Sequence, residues 1–229
     1  MRINGRYVSL YYEMDHDMGE IDIVPEKTAL LVVDMQRFFL TKPDNAPKTP
    51  EELDYNRSWS PFFEAIEHTV VPNHQRILEA FRQKKIEVIF AMIQSKTADG
   101  RDRSLDHKAT GFNELLLPPG SRESEIIPEV TPLDGEIVLQ KTTDSVLTGT
   151  SLRLMLHNMG IDTVVVTGIY TDQCISCTVR SLADESFKVW LIEDACRAAT
   201  EEIQNHELTV LNNIYCHVIN TDELLNAIK

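Results

Sequence analysis

The sequence predicts an α/β fold: a single domain of three layers, α/β/α, built on a mostly parallel sheet. Three observations predict it. Runs of apolar, largely β-branched residues such as Ala29-Leu-Leu-Val-Val33 and Thr163-Val-Val-Val-Thr167 lack the polar alternation of a half-exposed strand, which marks strands buried on both faces. From Glu136 onward such runs alternate with segments of 3.6-residue apolar periodicity, the pattern of βαβ units. Finally, 229 residues with 42% hydrophobic content suffice for one full-sized core, and no repeat or low-complexity linker divides them.

Residues 1–24 read as an N-terminal arm ahead of the main domain, 25–229. Two short alternating runs, Arg6-Tyr-Val-Ser-Leu-Tyr-Tyr12 and Glu20-Ile-Asp-Ile-Val24, flank the polar Met14-Asp-His-Asp-Met-Gly19, so a hairpin or arm is expected. Its aromatic side requires cover, from its own domain or from a second subunit. Pro25 and Lys27 then lead into the first buried strand, Ala29-Leu-Leu-Val-Val-Asp34. Between Gln36 and Pro61 the chain is rich in Pro, Asn, Asp and Thr without periodicity, and residues 41–60 are expected to form an irregular functional loop or lid. Helical spacing runs from Phe62 to Arg82, with Pro72 kinking the helix or beginning a second one.

A strand over 86–93 follows, then a polar loop that begins at Gln94 and continues irregularly through 112 to Pro118-Pro-Gly120. The pattern then becomes regular. Strands are expected at 136–141, 164–167, 188–192 and 215–219, with helices at about 150–159, after Asp172 and at about 201–213. Gly160 stops the first of these helices, and a terminal helix is capped by Thr221 or Asp222.

The formal charge of −14 argues against sequence-independent binding of nucleic acid or of an anionic membrane, both of which need basic patches. The first residues lack the apolar core of a signal peptide, and no run approaches the roughly 18 apolar residues of a membrane span. A cytoplasmic protein is expected. Four cysteines fit a reducing compartment, where thiols are catalytic, redox-active or simply buried.

In an open parallel sheet the functional site lies beyond the carboxyl ends of the strands. Three reactive side chains stand there: Asp34 closes the first core strand, Lys141 closes the strand at 136–141, and Cys174 follows Gly168 where a strand turns into a helix. With Thr171 or Asp172 as N-cap, the sulfur would sit in the first helical turn, where unpaired N–H groups and the macrodipole bias a thiol towards thiolate. Taken singly, Asp34 is an ordinary N-cap, Lys141 a solvated strand end and Cys174 a buried core residue. Together they supply a base, a charge stabiliser and a nucleophile at one edge.

Three stretches, Ala29-Leu-Leu-Val-Val-Asp-Met-Gln-Arg-Phe-Phe39, Lys141 ahead of Thr142-Thr-Asp-Ser-Val-Leu147, and Val165-Val-Thr-Gly-Ile-Tyr-Thr-Asp-Gln-Cys174, resemble the isochorismatase-like cysteine hydrolases. That superfamily includes isochorismatases, nicotinamidases, N-carbamoylsarcosine amidases, ureidoacrylate amidohydrolases and biuret hydrolases. The resemblance covers residues 27–228 in element order and implies a Rossmann-like domain with a triad of Asp34, Lys141 and Cys174. It also implies an oxyanion hole from the backbone N–H groups of Tyr170 and Cys174, shaped by a cis peptide between Ile169 and Tyr170. Cys174 favours hydrolysis of an amide, carbamoyl or ureido C–N bond, because true isochorismatases cleave a vinyl ether without this cysteine. Gln94-Ser-Lys-Thr-Ala-Asp-Gly100 lacks the closely spaced histidines of the nicotinamidase metal site, so neither metal nor other cofactor is expected.

Phe38, Phe39 and Gln94 are candidates for the substrate pocket beside Tyr170, with core packing the competing role for both phenylalanines. The expected partners are a small-molecule amide or ureide and further copies of the chain, as a dimer or tetramer. Two rival classes stand against the hydrolase. Cys174-Ile-Ser-Cys177 is a C-x-x-C motif at a helix start, as in thiol-disulfide oxidoreductases, but that reading leaves Asp34 and Lys141 without a role and places Cys177 on what reads as a buried helix face. A catalytically idle binding protein of the same fold would not require the complete triad.

Overall fold

In the computed structural model, which describes residues 5–14, 20–42, 46, 49–111 and 113–228, six parallel strands form one sheet in the order β3-β2-β1-β4-β5-β6. The strands are β1 (Thr28–Val33), β2 (Glu87–Ile93), β3 (Ile137–Lys141), β4 (Thr163–Ile169), β5 (Lys188–Arg197) and β6 (His217–Ile219). The helices are α1 (Arg37–Leu40), α2 (Pro50–Ala65), α3 (Val71–Lys84), α4 (Leu152–Met159), α5 (Ser176–Asp184), α6 (Glu201–Leu211) and α7 (Thr221–Ala227). The two central strands, β1 and β4, are buried at every residue, as their unbroken apolar runs require. The chain winds outward from β1 through β2 to β3, returns beside β1 as β4, and winds outward the other way. Right-handed crossovers in opposite directions put α3 and α5 on opposite faces; α7 joins α3 and α6 joins α5. The reversal between β1 and β4 opens a crevice at their carboxyl ends, which is where a ligand site belongs in such a sheet.

Several expectations are corrected. Residues 50–60 are not irregular: α2 begins at Pro50, held by a capping box in which Thr49 and Glu52 each accept from the other's backbone N–H, with Pro50 at the first helical position. Residues 43–45, 47 and 48 of the expected lid lie outside the described residues. The helical run therefore starts twelve residues before Phe62 and passes Pro61 within α2. Between α2 and α3 lies a π-turn, Ile66–Val70, in which Val71 N–H reaches back to Ile66 O. Pro72 explains it. Proline has no N–H to give and its ring crowds the carbonyl four residues earlier, and the wider turn makes room for that ring without ending the helix.

Among the described residues of the arm, 5–14 and 20–24, there is a 3₁₀ turn, Leu10–Tyr12, and a bridge at Glu20, while 15–19 of the polar run lie outside the described residues. The arm is tied to its own domain. Asn212 Nδ2 donates to Arg6 O at 3.1 Å and Tyr7 O at 3.2 Å, and the Arg6 guanidinium pairs with Glu193 and Glu223. The last helix is capped by Asn220, in a box with Glu223, and not by Thr221 or Asp222. β5 continues to Arg197, past a register shift opposite Val166 and Gly168, where Asp194 accepts both the N–H and the hydroxyl of Thr221. Among the described residues no helix is long and apolar enough to cross a membrane.

One buried base gives the fold a pH limit. His74, 1% exposed, donates from Nδ1 to Val70 O at 2.8 Å beside the π-turn, and its Nε2 has no partner among the described residues, so burial holds its pKa down, to about 4 from 6.5. A base whose folded pKa lies below its unfolded one gives stability that is complete above the unfolded value and is lost as pH falls through the folded one. Acidification from 6.5 to about 4 should therefore remove on the order of 3 kcal/mol of unfolding free energy. Urea unfolding at stepped pH measures it, and His74→Asn, which does not titrate, should flatten that part of the profile.

Candidate active site

The crevice is built by backbone positions that few residues tolerate. Asp34, one residue beyond β1, has φ of 53°, in the left-handed region where Asp is among the better-tolerated side chains. Its N–H is held by Ala91 O at 2.8 Å and its own carbonyl accepts from Gln36 N–H at 2.7 Å. Gln36, fully buried, fastens this corner to the next strand: its Oε1 accepts from Ile93 N–H, and its Nε2 donates to Ile93 O and Ser124 O. Across the crevice Gly168 sits at φ 122°, where a Cβ would stand 2.0 Å from Val33 O, so β4 approaches β1 this closely only with glycine. The Ile169–Tyr170 peptide is cis, and the chain then enters a π-turn, Thr171–Ile175, that carries Cys174. Tyr170 precedes this turn without any side-chain cap, so neither Thr171 nor Asp172 is the N-cap.

Lys141 is not a solvated strand end. Its side chain is fully buried and spans the end of β2, placing Nζ 2.7 Å from Asp34 Oδ2, 3.1 Å from Cys174 Sγ and 3.1 Å from Thr143 O. An ammonium has three protons, and here it meets three acceptors. Burial pushes the Asp34 carboxyl up from the usual range, with Lys141 opposing the shift. Burial alone would lower Lys141, but Asp34 and Cys174 together hold its ammonium above the ordinary value. The Cys174 thiol lies well above its ordinary value because burial, and then Asp34, disfavour the anion more than Lys141 favours it. The expected bias towards thiolate is thus reversed at rest: desolvation of a 5% exposed sulfur outweighs one helical turn.

A second group of charges adjoins the sulfur. Asp144 Oδ1 lies 3.6 Å from Cys174 Sγ and 3.1 Å from His107 Nε2, and His107 Nδ1 is met by Ser104 Oγ at 2.7 Å and Arg103 Nη2 at 3.1 Å. Arg103 also donates to Lys141 O at 3.4 Å. Sequence reading missed this group; the only trace is the Arg-x-x-x-His spacing of 103 and 107, which carries no meaning until the loop is folded. Asp102 folds it, accepting from the N–H groups of Lys96 and Thr97 and from the Thr97 hydroxyl.

Of the pocket candidates, Phe39 is buried and packs edge-on against Tyr170, with ring centroids 5.6 Å apart. Phe38, half-exposed, packs on Phe39 and lines a surface cleft with Arg37, Thr41, Arg122 and Glu123. Gln94 is buried and both ends of its amide are occupied: Oε1 by Gln140 Nε2 at 2.6 Å, and Nε2 by Ser124 Oγ at 2.7 Å. Tyr170 meets an aromatic wall that α2 supplies, Trp59 at 6.3 Å and Phe62 at 5.4 Å, with Tyr55 stacked on Trp59 one turn earlier. Thr49-Pro-Glu-Glu52 and the helical spacing of Tyr55, Trp59 and Phe62 were the available signal for this wall. Cys177 faces solvent, contrary to the buried face expected for it, and all four cysteines are free. Among the described residues no group of three or more His, Cys, Asp or Glu side chains is disposed to hold a metal ion.

Comparison with known proteins matches residues 28–223 to the isochorismatase domain family. The N-carbamoylsarcosine amidase of Arthrobacter sp. is 27% identical over 180 residues, covering 76% of this chain and 68% of the relative. The ureidoacrylate amidohydrolase RutB of Serratia proteamaculans (strain 568) is 27% identical over 222 residues, covering 91% and 85%. Among solved structures, a cysteine hydrolase from Pseudomonas syringae pv. phaseolicola 1448A shares the fold, with a TM-score of 0.77 at 23% identity over 94% of this chain and 98% of its own.

The state of the thiol is measurable. Since burial and Asp34 hold Cys174 protonated, its alkylation by iodoacetamide should still be accelerating through pH 9, where an ordinary thiol has begun to level. Peptide mass mapping at stepped pH separates Cys174 from exposed Cys177. A rate that levels near neutrality would contradict this assignment.

Proposed function

From the premise that the chain belongs to the isochorismatase family, we propose that it hydrolyses an amide, carbamoyl or ureido C–N bond of a small molecule through a thioester on Cys174, releasing ammonia or an amine. The observation that carries the proposal is the buried Lys141 ammonium in contact with both Asp34 and Cys174. Such a cation stabilises whichever of the two neighbours bears the negative charge, so a proton can pass from sulfur to carboxylate without leaving an unpaired buried anion. The raised carboxyl of Asp34 is the stronger base for it. The two relatives with C–N hydrolase names point the same way.

The steps follow from these groups. Asp34 takes the Cys174 proton as the sulfur adds to the carbonyl carbon, and the carbonyl oxygen gains the negative charge, directed at the backbone N–H groups of Tyr170 and Cys174. Each such donor contributes roughly 3 kcal/mol to the transition state. Collapse breaks the C–N bond, and the departing nitrogen takes the proton from Asp34. Water then gives a proton to Asp34 and adds to the thioester; the second collapse breaks the C–S bond and the sulfur recovers that proton. The proposal includes assembly into a homo-oligomer, supported by the exposed Leu10, Tyr11 and Met14 of the arm. Light scattering at micromolar concentration tests it, and a monomer would contradict it.

Ammonia release from a panel of small amides, carbamoyl and ureido compounds tests the chemistry. Cys174→Ser and Asp34→Asn should each lose about 10³-fold or more in turnover, and the double variant little beyond either, because the two act as one unit. Cys177→Ser should stay within about twofold of the parent. Intact mass after mixing with substrate should show an acyl adduct on Cys174. Near-parental turnover by Cys174→Ser removes the thioester from the mechanism, and an equally inactive Cys177→Ser favours dithiol chemistry.

A further inference from the structure

We propose that Asp144 is a specificity-determining residue of this site: it selects substrates whose reacting carbonyl is flanked by neutral or cationic groups bearing N–H donors, and rejects those carrying a carboxylate beside it. The inference rests on the hydrolytic reading for the identity of the ligand, and on geometry alone for the placement of the charge. A carbonyl carbon attacked by sulfur must first come within about 3–3.5 Å of it. Asp144 Oδ1 is 3.6 Å from that sulfur, so the substituents of the carbonyl pass within a few ångströms of a carboxylate.

The carboxylate is held there by a chain of fixed polarity. A guanidinium can only donate, so with Arg103 Nη2 at 3.1 Å the acceptor is His107 Nδ1. The ring proton is then on Nε2, 3.1 Å from Asp144 Oδ1. Arg103 is 3% exposed and His107 7%, so both side chains are held by burial, and Arg103 is anchored in turn on Lys141 O. His107 holds the Asp144 carboxyl below the usual range, so it meets the substrate ionised.

The other charges nearby do not cancel this selection. Lys141, Asp34 and Arg103 are all buried: Lys141 meets Asp34 Oδ2, Cys174 Sγ and Thr143 O, and Arg103 meets His107 Nδ1 and Lys141 O. Asp144 alone of these four is open to solvent, with its side chain 39% exposed, and so is the charge an arriving molecule meets. A carboxamide or ureido N–H gives it a charge-assisted hydrogen bond. A carboxylate in the same place is repelled at short range in a partly desolvated crevice.

Iodoacetamide and iodoacetate test this directly, since they alkylate the same thiol and differ only in a carboxamide against a carboxylate. In a Cys177→Ser background at fixed pH and moderate salt, the ratio of the two rates at Cys174 should exceed the ratio for 2-mercaptoethanol by about tenfold or more. Dividing the rates removes any change in the reactivity of the sulfur itself. Asp144→Asn should bring the ratio within about twofold of the free thiol, and Asp144→Glu should keep it. A parent ratio equal to that of 2-mercaptoethanol, or one that Asp144→Asn leaves unchanged, overturns the proposal. In the ammonia assay N-carbamoylglycinamide should be preferred to N-carbamoylglycine, and the opposite preference also overturns it. A large, Asp144-dependent alkylation ratio without ammonia release from any amide would instead remove the hydrolase reading and leave the charge selection standing.

Discussion

A fully buried ammonium is the constraint around which the carboxyl edge of the sheet is arranged. Moving a Lys side chain out of water costs several kcal/mol, and only an opposite charge with good hydrogen bonding offsets that cost. Lys141 has both, in Asp34, Cys174 and Thr143 O. The arrangement demands that three separate stretches of chain arrive within about 3 Å of one nitrogen. The strand order supplies this, because β2 lies between β3 and β1 and its end is short enough for a four-carbon stem to cross. Removing any one of the three partners leaves a buried charge or a buried lone pair without its complement, so the groups proposed to serve chemistry also hold this edge together.

The backbone around the pair shows the same coupling of structure and function. Asp34 occupies a left-handed conformation, and Gly168 occupies one closed to any residue with a Cβ, both at the point where β1 and β4 diverge. Such positions persist only where neighbours over-determine them. Here those neighbours are Ala91 O, the three hydrogen bonds of Gln36, and the carbonyl of Val33. The side chain of Gln36 is buried and spends its hydrogen bonds on Ile93 and Ser124; its part is to keep the ends of β1 and β2 in register while the chain leaves the sheet.

What the sequence disclosed and what it hid divide along a physical line. Apolar runs are set by burial along a strand, so Ala29–Val33 and Thr163–Thr167 were legible. α2 was hidden because Pro, Asn and Asp upstream read as loop, although Thr49 and Glu52 wrote a capping box at its start. The alternation in Arg6–Tyr12 forms no strand over these residues, because alternation predicts one only if a partner strand exists, and Asn212, Glu193 and Glu223 meet the polar groups of Arg6 and Tyr7. The thiol's state was misjudged because position on a helix can be read from sequence while desolvation cannot. The group around Asp144 was invisible for the same reason, since Asp144 lies 41 residues from Arg103 and 37 from His107 and is joined to them only by the fold of the intervening chain.

Two carboxylates flank one sulfur, and their surroundings separate them. Asp34 is buried beside a single ammonium, and desolvation raises its proton affinity; Asp144 is half open to water with a histidine donating to it, and its proton affinity falls. A carboxyl driven upward is suited to taking and returning a proton, whereas one driven downward is suited to remaining an anion that a ligand must satisfy. If both were buried alike, the sulfur would face two equivalent bases, neither of them stabilised enough to stay charged. In the proposed mechanism the opposed environments let one serve the proton transfer and the other read the substrate, and Lys141 belongs to the first because its ammonium contacts Asp34 directly, at 2.7 Å.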